Sequence, residues 1–148
     1  ILADKTQLNS LYECYFSSDA VVRLRVSNAM KRICREQPKW LVPYLDRFLT
    51  QISKIGQAST QWTLAQLFLW LETSMSDALK QKAIVVLQRN LESSNDWIVQ
   101  NTTIETLGTW AKTDDSIKSW LMPRLRKLAK SDRKSVAGRA SKMILALT

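Results

Sequence analysis

Side chains that could support enzyme chemistry are few in this sequence of 148 residues. It contains no histidine, which removes histidine general bases, Ser-His-Asp and Cys-His nucleophile pairs and HExxH zinc sites. Two cysteines, Cys14 and Cys34, are too few for a multi-cysteine zinc site, and we expect both to be buried and reduced. Adjacent Asp114 and Asp115 indicate a turn and a helix cap instead of an acid/base pair. The sequence therefore predicts no catalytic residue, no metal site and no cofactor.

Positive charge is concentrated near the C-terminal end. Residues 118–142 contain nine lysines and arginines and one acid, Asp132, in a chain of net charge +9. Such cations can hold the phosphates of a nucleic acid, but they also suit a solvated outer face. Trp120 is the one aromatic residue in this window that could stack on a base. The candidate nucleic-acid-binding residues are Arg124, Arg126, Lys127, Lys130, Arg133 and Lys134.

A helical pattern that repeats along the chain must position these residues. Apolar side chains recur at the i, i+4, i+7 spacing of one helix face, in four copies separated by 37 to 39 positions. The segments between the copies repeat as well, since residues 40–45 (WLVPYL) match residues 120–125 (WLMPRL). A period of this size is typical of stacked two-helix repeats. The copies begin near Val22, Thr60, Val99 and Val136.

Capping residues and prolines mark where the helices begin and end. Pro38 suits a first helical turn and Gly56 a helix end, whereas Pro43 and Pro123 should kink a helix or restart it. We expect a single all-α domain, 1–148, with repeats at about 1–37, 38–75, 76–113 and 114–148. The candidate N-caps are Asp19, Ser59, Asp77, Asp96, Asp115 and Asp132 or Ser131. Eight antiparallel helices are predicted at about 4–17, 19–36, 38–55, 59–73, 77–93, 96–112, 115–130 and 132–146.

The motifs inside the repeat resemble those of HEAT-repeat proteins. Residues 41–45 and 121–125 show the first-helix pattern Leu-x-Pro-x-Leu. The second-helix pattern of an Asp cap, Val-Arg and a small residue occurs over residues 19–29, and in weaker form at 96–100 and 132–137. The resemblance implies an α-α superhelix, a solenoid of about four HEAT-like two-helix repeats. It also implies that the second helices line a concave face that holds another macromolecule.

Aligned second helices place polar residues in columns on this predicted concave face. Arg25, Asn28 and Arg32 lie three and four positions apart, away from the apolar stripe of the same helix. Trp70 is either an anchor for a partner or a packing residue, and the other five tryptophans are assigned mostly to packing between helices. The predicted partner-binding residues are Arg25, Asn28, Arg32, Gln66, Trp70, Glu105, Arg139 and Lys142.

Three functions are compatible with this pattern. The first is a non-enzymatic scaffold that binds a protein partner of unknown identity. The second is a nucleic-acid-binding protein that resembles the HEAT-like DNA alkylation-repair glycosylases, although Asp96 beside Trp97 is better explained as a cap. The third is a purely structural role as a fragment of a longer solenoid, since the last helix ends in the apolar residues 144–147. We expect a monomer, or weak self-association through the terminal repeats.

The sequence also gives an expectation about membranes and location. Its apolar runs are far shorter than the roughly 20 residues of a transmembrane helix. No signal peptide is visible at Ile1. We therefore expect a cytoplasmic protein without a membrane partner.

Overall fold

A computed structural model describes residues 4–148 of the chain. Within this range the backbone is helical, without any β-strand, and the eight predicted helices are present. By its internal packing the chain divides into two compact units, of which the first ends at Val86 and the second comprises Leu87–Thr148. The two units are described separately below.

Four helices and the first half of a fifth make up the first unit. Helix α1 joins the 3-10 turn Lys5–Gln7, the α-helical Leu8–Glu13 and the 3-10 turn Cys14–Phe16. Helix α2 is Ala20–Glu36. Helix α3 consists of Pro38–Leu41, Val42–Tyr44, Leu45–Thr50 and Ile52–Lys54, and α4 is Ala58–Trp70, followed by the turn Glu72–Ser74.

Pro43 interrupts helix α3, as its position in the sequence predicts. It lies in the 3-10 segment Val42–Tyr44, and regular α-helix resumes at Leu45. Proline has no backbone N–H and its ring clashes with the preceding turn, so the local hydrogen-bond pattern changes there.

Aromatic rings tie α1 to α3 in the core of the first unit. The ring of Tyr12 lies 5.2 Å from that of Tyr44 and 5.9 Å from that of Phe48, measured between centroids. The Tyr12 hydroxyl donates to Gln51 Oε1 at 2.6 Å, and burial raises the pKa of Tyr12 to about 12. This buried cluster fixes the first helix against the third, because large rings contribute both area and specific geometry.

Helices α2 and α4 pack side by side in the same direction. Gln57, just before α4, donates to the carbonyl of Ala20 at 3.0 Å and accepts from Arg23 Nε at 2.6 Å. At the far ends of the two helices, the Arg35 guanidinium lies 5.7 Å from the ring centroid of Trp70. Contact at both ends in the same order means that the helices are parallel, with contacting residues 34 to 37 positions apart in sequence.

The second unit contains the end of one helix and three complete ones. Helix α5, Asp77–Ser93, crosses the division at Val86. Helices α6 (Trp97–Ala111), α7 (Asp115–Leu128) and α8 (Lys134–Leu147) all contact one another. Pro123 lies inside α7, which continues through it as a single α-helix, in contrast to the break at Pro43.

Helices α6 and α8 repeat the parallel arrangement of α2 and α4. Contacts join Trp97 to Arg133 and Glu105 to Arg139. Further along the helices, Gly108 faces Met143 so closely that an added Cβ would stand 2.3 Å from the Met143 Sδ. Residue numbers rise together in both helices, so these helices also run parallel, with contacting residues 34 to 36 positions apart.

The predicted apolar stripes form the cores of both units. In α2, Val26, Met30 and Ile33 are buried, and Val22 and Ala29 at the edge of the stripe are half-buried. In α6 and α8 the stripe is buried at Val99, Thr103, Thr106, Leu107, Trp110, Val136, Ala140 and Leu147. The helical periodicity of the sequence therefore identified the core-facing side of these helices correctly.

Two of the predicted N-caps are confirmed. Asp19 accepts a hydrogen bond from the backbone N–H of Val21, at the start of α2. Asp96 accepts from Ile98 and Val99 at 2.9 and 3.0 Å, at the start of α6. Each carboxylate satisfies an N–H of the first turn that has no partner within its helix.

The other predicted caps are wrong by one or more positions. Asp114 caps α7 in place of Asp115, and Ser76 accepts from Leu79 N–H ahead of Asp77. In these two cases a neighbouring side chain of the same capping chemistry takes the role. Ser59 is buried inside α4, which begins at Ala58, and α8 begins only at Lys134, after the predicted caps Ser131 and Asp132. Gly56 has no positive φ, so it does not form a left-handed helix cap.

Among residues 4–148, none of the helices combines the length and apolar character needed to cross a lipid bilayer.

Replacement of the two helical glycines by alanine tests the close packing of α6 on α8. Gly138→Ala should raise the free energy of unfolding by roughly 0.5–1 kcal/mol, because alanine favours helix and nothing lies within 4 Å of the added Cβ. Gly108→Ala should lower it by about 1 kcal/mol, since Met143 must leave its position. Urea denaturation measures both changes, and equal stabilisation by the two variants would contradict the proximity of α6 and α8.

Candidate functional site

The predicted binding residues of the first unit lie on one exposed face. Arg25, Asn28 and Arg32 of α2 are exposed, and Arg35, three positions further on, continues their row. Helix α4, which packs against α2, contributes the half-buried Gln66 and the exposed Trp70. We call this set, Arg25, Asn28, Arg32, Arg35, Gln66 and Trp70, the α2/α4 face.

Trp70 presents a large apolar surface on this face. Its side chain is 40% exposed, although its neighbours Leu67, Phe68 and Leu71 are almost fully buried. The Arg35 guanidinium lies over the ring at 5.7 Å from the centroid, a cation–π distance. The ring is therefore held in place from one side and remains accessible to a partner.

The α2/α4 face is positively charged. Helix α2 carries five cations, Arg23, Arg25, Lys31, Arg32 and Arg35, and a single acid, Glu36. Arg32 lies 3.4 Å from Glu36, but both side chains are more than half exposed, so this pair contributes little stability. Burial and the neighbouring Arg35 lower the pKa of Lys31 from its ordinary value. Crowded positive charge of this kind favours an anionic partner.

The predicted binding residues of the second unit are arranged differently. Arg139 Nη1 lies 3.5 Å from Glu105 Oε2, so these two side chains form a salt bridge between α8 and α6. Lys142 is exposed and, with Lys134 and Met143, lines an open depression of about 590 Å³. The structure thus brings Glu105 and Arg139 together. Their salt bridge partly neutralises the charge of the binding residues predicted on α6 and α8.

Arg124, a half-buried cation of the basic window, is engaged in several structural contacts. Its Nε donates to Glu92 Oε1, and its Nη1 donates to the carbonyl of Trp120 at 2.7 Å. The guanidinium also lies 3.8 Å from the centroid of the Trp120 ring and covers it. Arg126, Lys127, Lys130, Arg133 and Lys134, in contrast, are exposed.

Trp97 is a surface residue that the sequence analysis assigned to packing. It is the first residue of α6, its side chain is 42% exposed, and the Arg133 guanidinium lies 5.8 Å from its ring centroid. A helix start is often exposed, so its place directly after the cap Asp96 was the signal that could have identified it.

Two depressions are lined by cations of the basic window and share Asn95 and Gln100. We call the two depressions together the cationic track. The larger has a volume of about 710 Å³ and is lined by Asn95, Gln100, Ser131, Asp132, Arg133 and Lys134. The smaller, of about 190 Å³, is lined by Leu91, Glu92, Ser94, Asn95, Gln100, Arg124, Lys127 and Leu128.

The cysteines differ from each other in the structure. Cys34 is buried as predicted, and burial raises the pKa of its thiol to about 11. Cys14 is exposed, which contradicts the expectation of two buried thiols, and its Sγ donates to the carbonyl of Ser10 at 3.3 Å. It lies in the last turn of α1, whose buried side carries Tyr12 and Tyr15 instead. Residues 4–148 hold no group of three or more potential metal ligands from Cys, Asp and Glu.

Comparison of the chain with family models, with curated proteins and with solved structures gave no match in any of the three. The HEAT resemblance therefore stays a prediction from motifs and spacing.

The two thiols should react at very different rates with Ellman's reagent. Cys14 is exposed and should react within the mixing period of a routine assay, whereas Cys34 should react only after unfolding, because its thiol is buried and protonated at neutral pH. A Cys14→Ser variant should lose the fast reaction completely. Rapid reaction of Cys34 in the folded protein would be inconsistent with its position on the buried side of α2.

Asp96 should contribute to stability as a cap. Asp96→Ala should lower the free energy of unfolding by about 1 kcal/mol, because two first-turn N–H groups lose their acceptor. Asp132→Ala is the matched control, since Asp132 is exposed and caps no helix, and its effect should stay within about 0.5 kcal/mol. Thermal or urea denaturation compares the two, and similar losses in both variants would contradict the capping role.

Proposed function

We propose that this protein is a non-enzymatic interaction module built from HEAT-like helical repeats. It binds a protein partner through the α2/α4 face, and the bound segment of that partner is acidic. The observation that carries the proposal is the exposed Trp70 ring beside Arg35, on a face whose other exposed residues are mainly cationic.

The packing within each unit supports the repeat assignment. In the first unit α2 and α4 run parallel with contacts between residues 34 and 37 positions apart, and in the second α6 and α8 pair in the same way. Stacked repeats produce this relation, because equivalent helices of neighbouring repeats pack at one register. We therefore favour a solenoid of two-helix repeats as the architecture.

The chemistry of the α2/α4 face indicates how a partner would be recognised. Trp70 can bury a large rigid apolar surface at low cost in side-chain entropy, which is typical of residues that dominate binding energy. Arg25, Arg32 and Arg35 can each form paired hydrogen bonds with a carboxylate. A segment with an apolar side chain between acidic residues would satisfy both kinds of group.

Partner capture followed by titration tests this proposal. Proteins retained by the immobilised chain are identified, and the affinity of each for the native chain and its variants is measured by calorimetry. Trp70→Ala should weaken binding by at least 2 kcal/mol, about 30-fold, because the central anchor is removed. The triple variant Arg25→Gln, Arg32→Gln, Arg35→Gln should weaken binding and reduce its dependence on salt.

Trp97→Ala is the matched control, since Trp97 is as exposed as Trp70 but lies in the other unit. It should leave the affinity for the captured partner unchanged. Equal losses in the two tryptophan variants, or a partner interface that maps away from α2 and α4, would overturn the assignment of this face.

A further inference from the structure

We propose that the second unit has a separate site for single-stranded nucleic acid at the ends of α6 and α8. Trp97 stacks on a base, and Lys127, Lys130, Arg133 and Lys134 hold the phosphates. This site does not depend on the α2/α4 face, so either can fail without the other.

Trp97, the proposed stacking residue, is brought to the cations by the fold and not by proximity in the sequence. Trp97 lies outside the basic window of residues 118–142, yet parallel packing of α6 and α8 brings it to Arg133. The residue is 42% exposed, which leaves aromatic surface for a base. Aromatic stacking beside cations is the usual way in which single strands are bound without strong sequence preference.

The cations follow a path that a single strand could occupy. Arg133 and Lys134 line the larger depression, and Lys127 lines the smaller one, with Asn95 and Gln100 common to both. Lys130 is exposed and lies in the loop between α7 and α8. Amide side chains at the centre of the track can form hydrogen bonds with base edges or sugars.

Acidic side chains restrict where phosphates can bind. Asp132 is exposed and lines the larger depression, where it opposes a phosphate. Glu92 in the smaller depression is paired with Arg124, and the Asp96 carboxylate is occupied by the N–H groups of α6. Trp120 is covered by Arg124, whereas the exposed Trp97 contacts Arg133, which lines the larger depression.

A short oligothymidylate with a fluorescent end label is the probe, and anisotropy titration is the measurement. Trp97→Ala should weaken binding by roughly 5- to 150-fold, since one stacked base is lost, and should leave the salt dependence unchanged. Trp97→Phe should keep most of the affinity. The double variant Arg133→Gln, Lys134→Gln should weaken binding and reduce the slope of log K against log salt by about 1.4, because two phosphate contacts are lost.

Control variants separate this site from general positive charge. Lys112→Gln, at the opposite end of α6, should bind the probe as the native chain does. Asp132→Ala should bind it more tightly, because the opposing charge is removed. The arginine and lysine variants change exposed side chains, so they test the site even if Trp97→Ala destabilises the fold.

The same titration with other polyanions distinguishes the alternatives. A DNA duplex of equal length should bind more weakly than the single strand, because its bases are not free to stack. The proposal is overturned if the native chain does not bind the oligothymidylate at low salt, or if Trp97→Ala binds it unchanged. Preference for polyglutamate or for vesicles of anionic lipid over the oligonucleotide would also overturn it and would assign the surface to a protein or a membrane instead.

Discussion

Parallel packing of two helices whose contacting residues lie 34 to 37 positions apart in sequence is the interaction on which each described unit depends. It occurs within each unit, between α2 and α4 and between α6 and α8. The apolar stripe of a single helix would remain in contact with water. It is therefore buried only when the neighbouring parallel helix packs over it at a constant register. Gly108 shows how close this approach is, since even a methyl group there would displace Met143.

Both candidate surfaces are consequences of this register. Parallel helices bring corresponding ends together, so an aromatic residue of one helix meets an arginine of the other, as Arg35 meets Trp70 and Arg133 meets Trp97. An exposed cation–π contact is worth only about 0.5–1 kcal/mol. Each arginine can therefore exchange the ring for a carboxylate or phosphate without a large loss of stability, while the tryptophan stays in place.

Tertiary contacts also distinguish cations that are equivalent by composition. Arg124 stacks on Trp120 and pairs with Glu92, and Arg139 pairs with Glu105, whereas Lys130 and Lys134 remain exposed. A cation held by a carboxylate and a ring is a weaker candidate for ligand binding than an exposed one, because existing contacts must be given up first. Some cations of the basic window are thus held in contacts within the protein, and others are available to bind a ligand.

The sequence alone determined the all-helical class, the positions of the eight helices and the buried side of those whose apolar stripes were predicted, because periodicity and capping are local properties. Helix α2, for example, occupies Ala20–Glu36 against a predicted 19–36. The prediction of the capping residue was wrong where Asp and Ser residues are adjacent, because neighbouring side chains of like chemistry compete for the same first-turn N–H groups. Only the tertiary structure decided that Trp97 meets Arg133 and that Cys14 is exposed. Contacts between residues that are distant in sequence depend on the register between packed helices, and local sequence patterns do not encode that register.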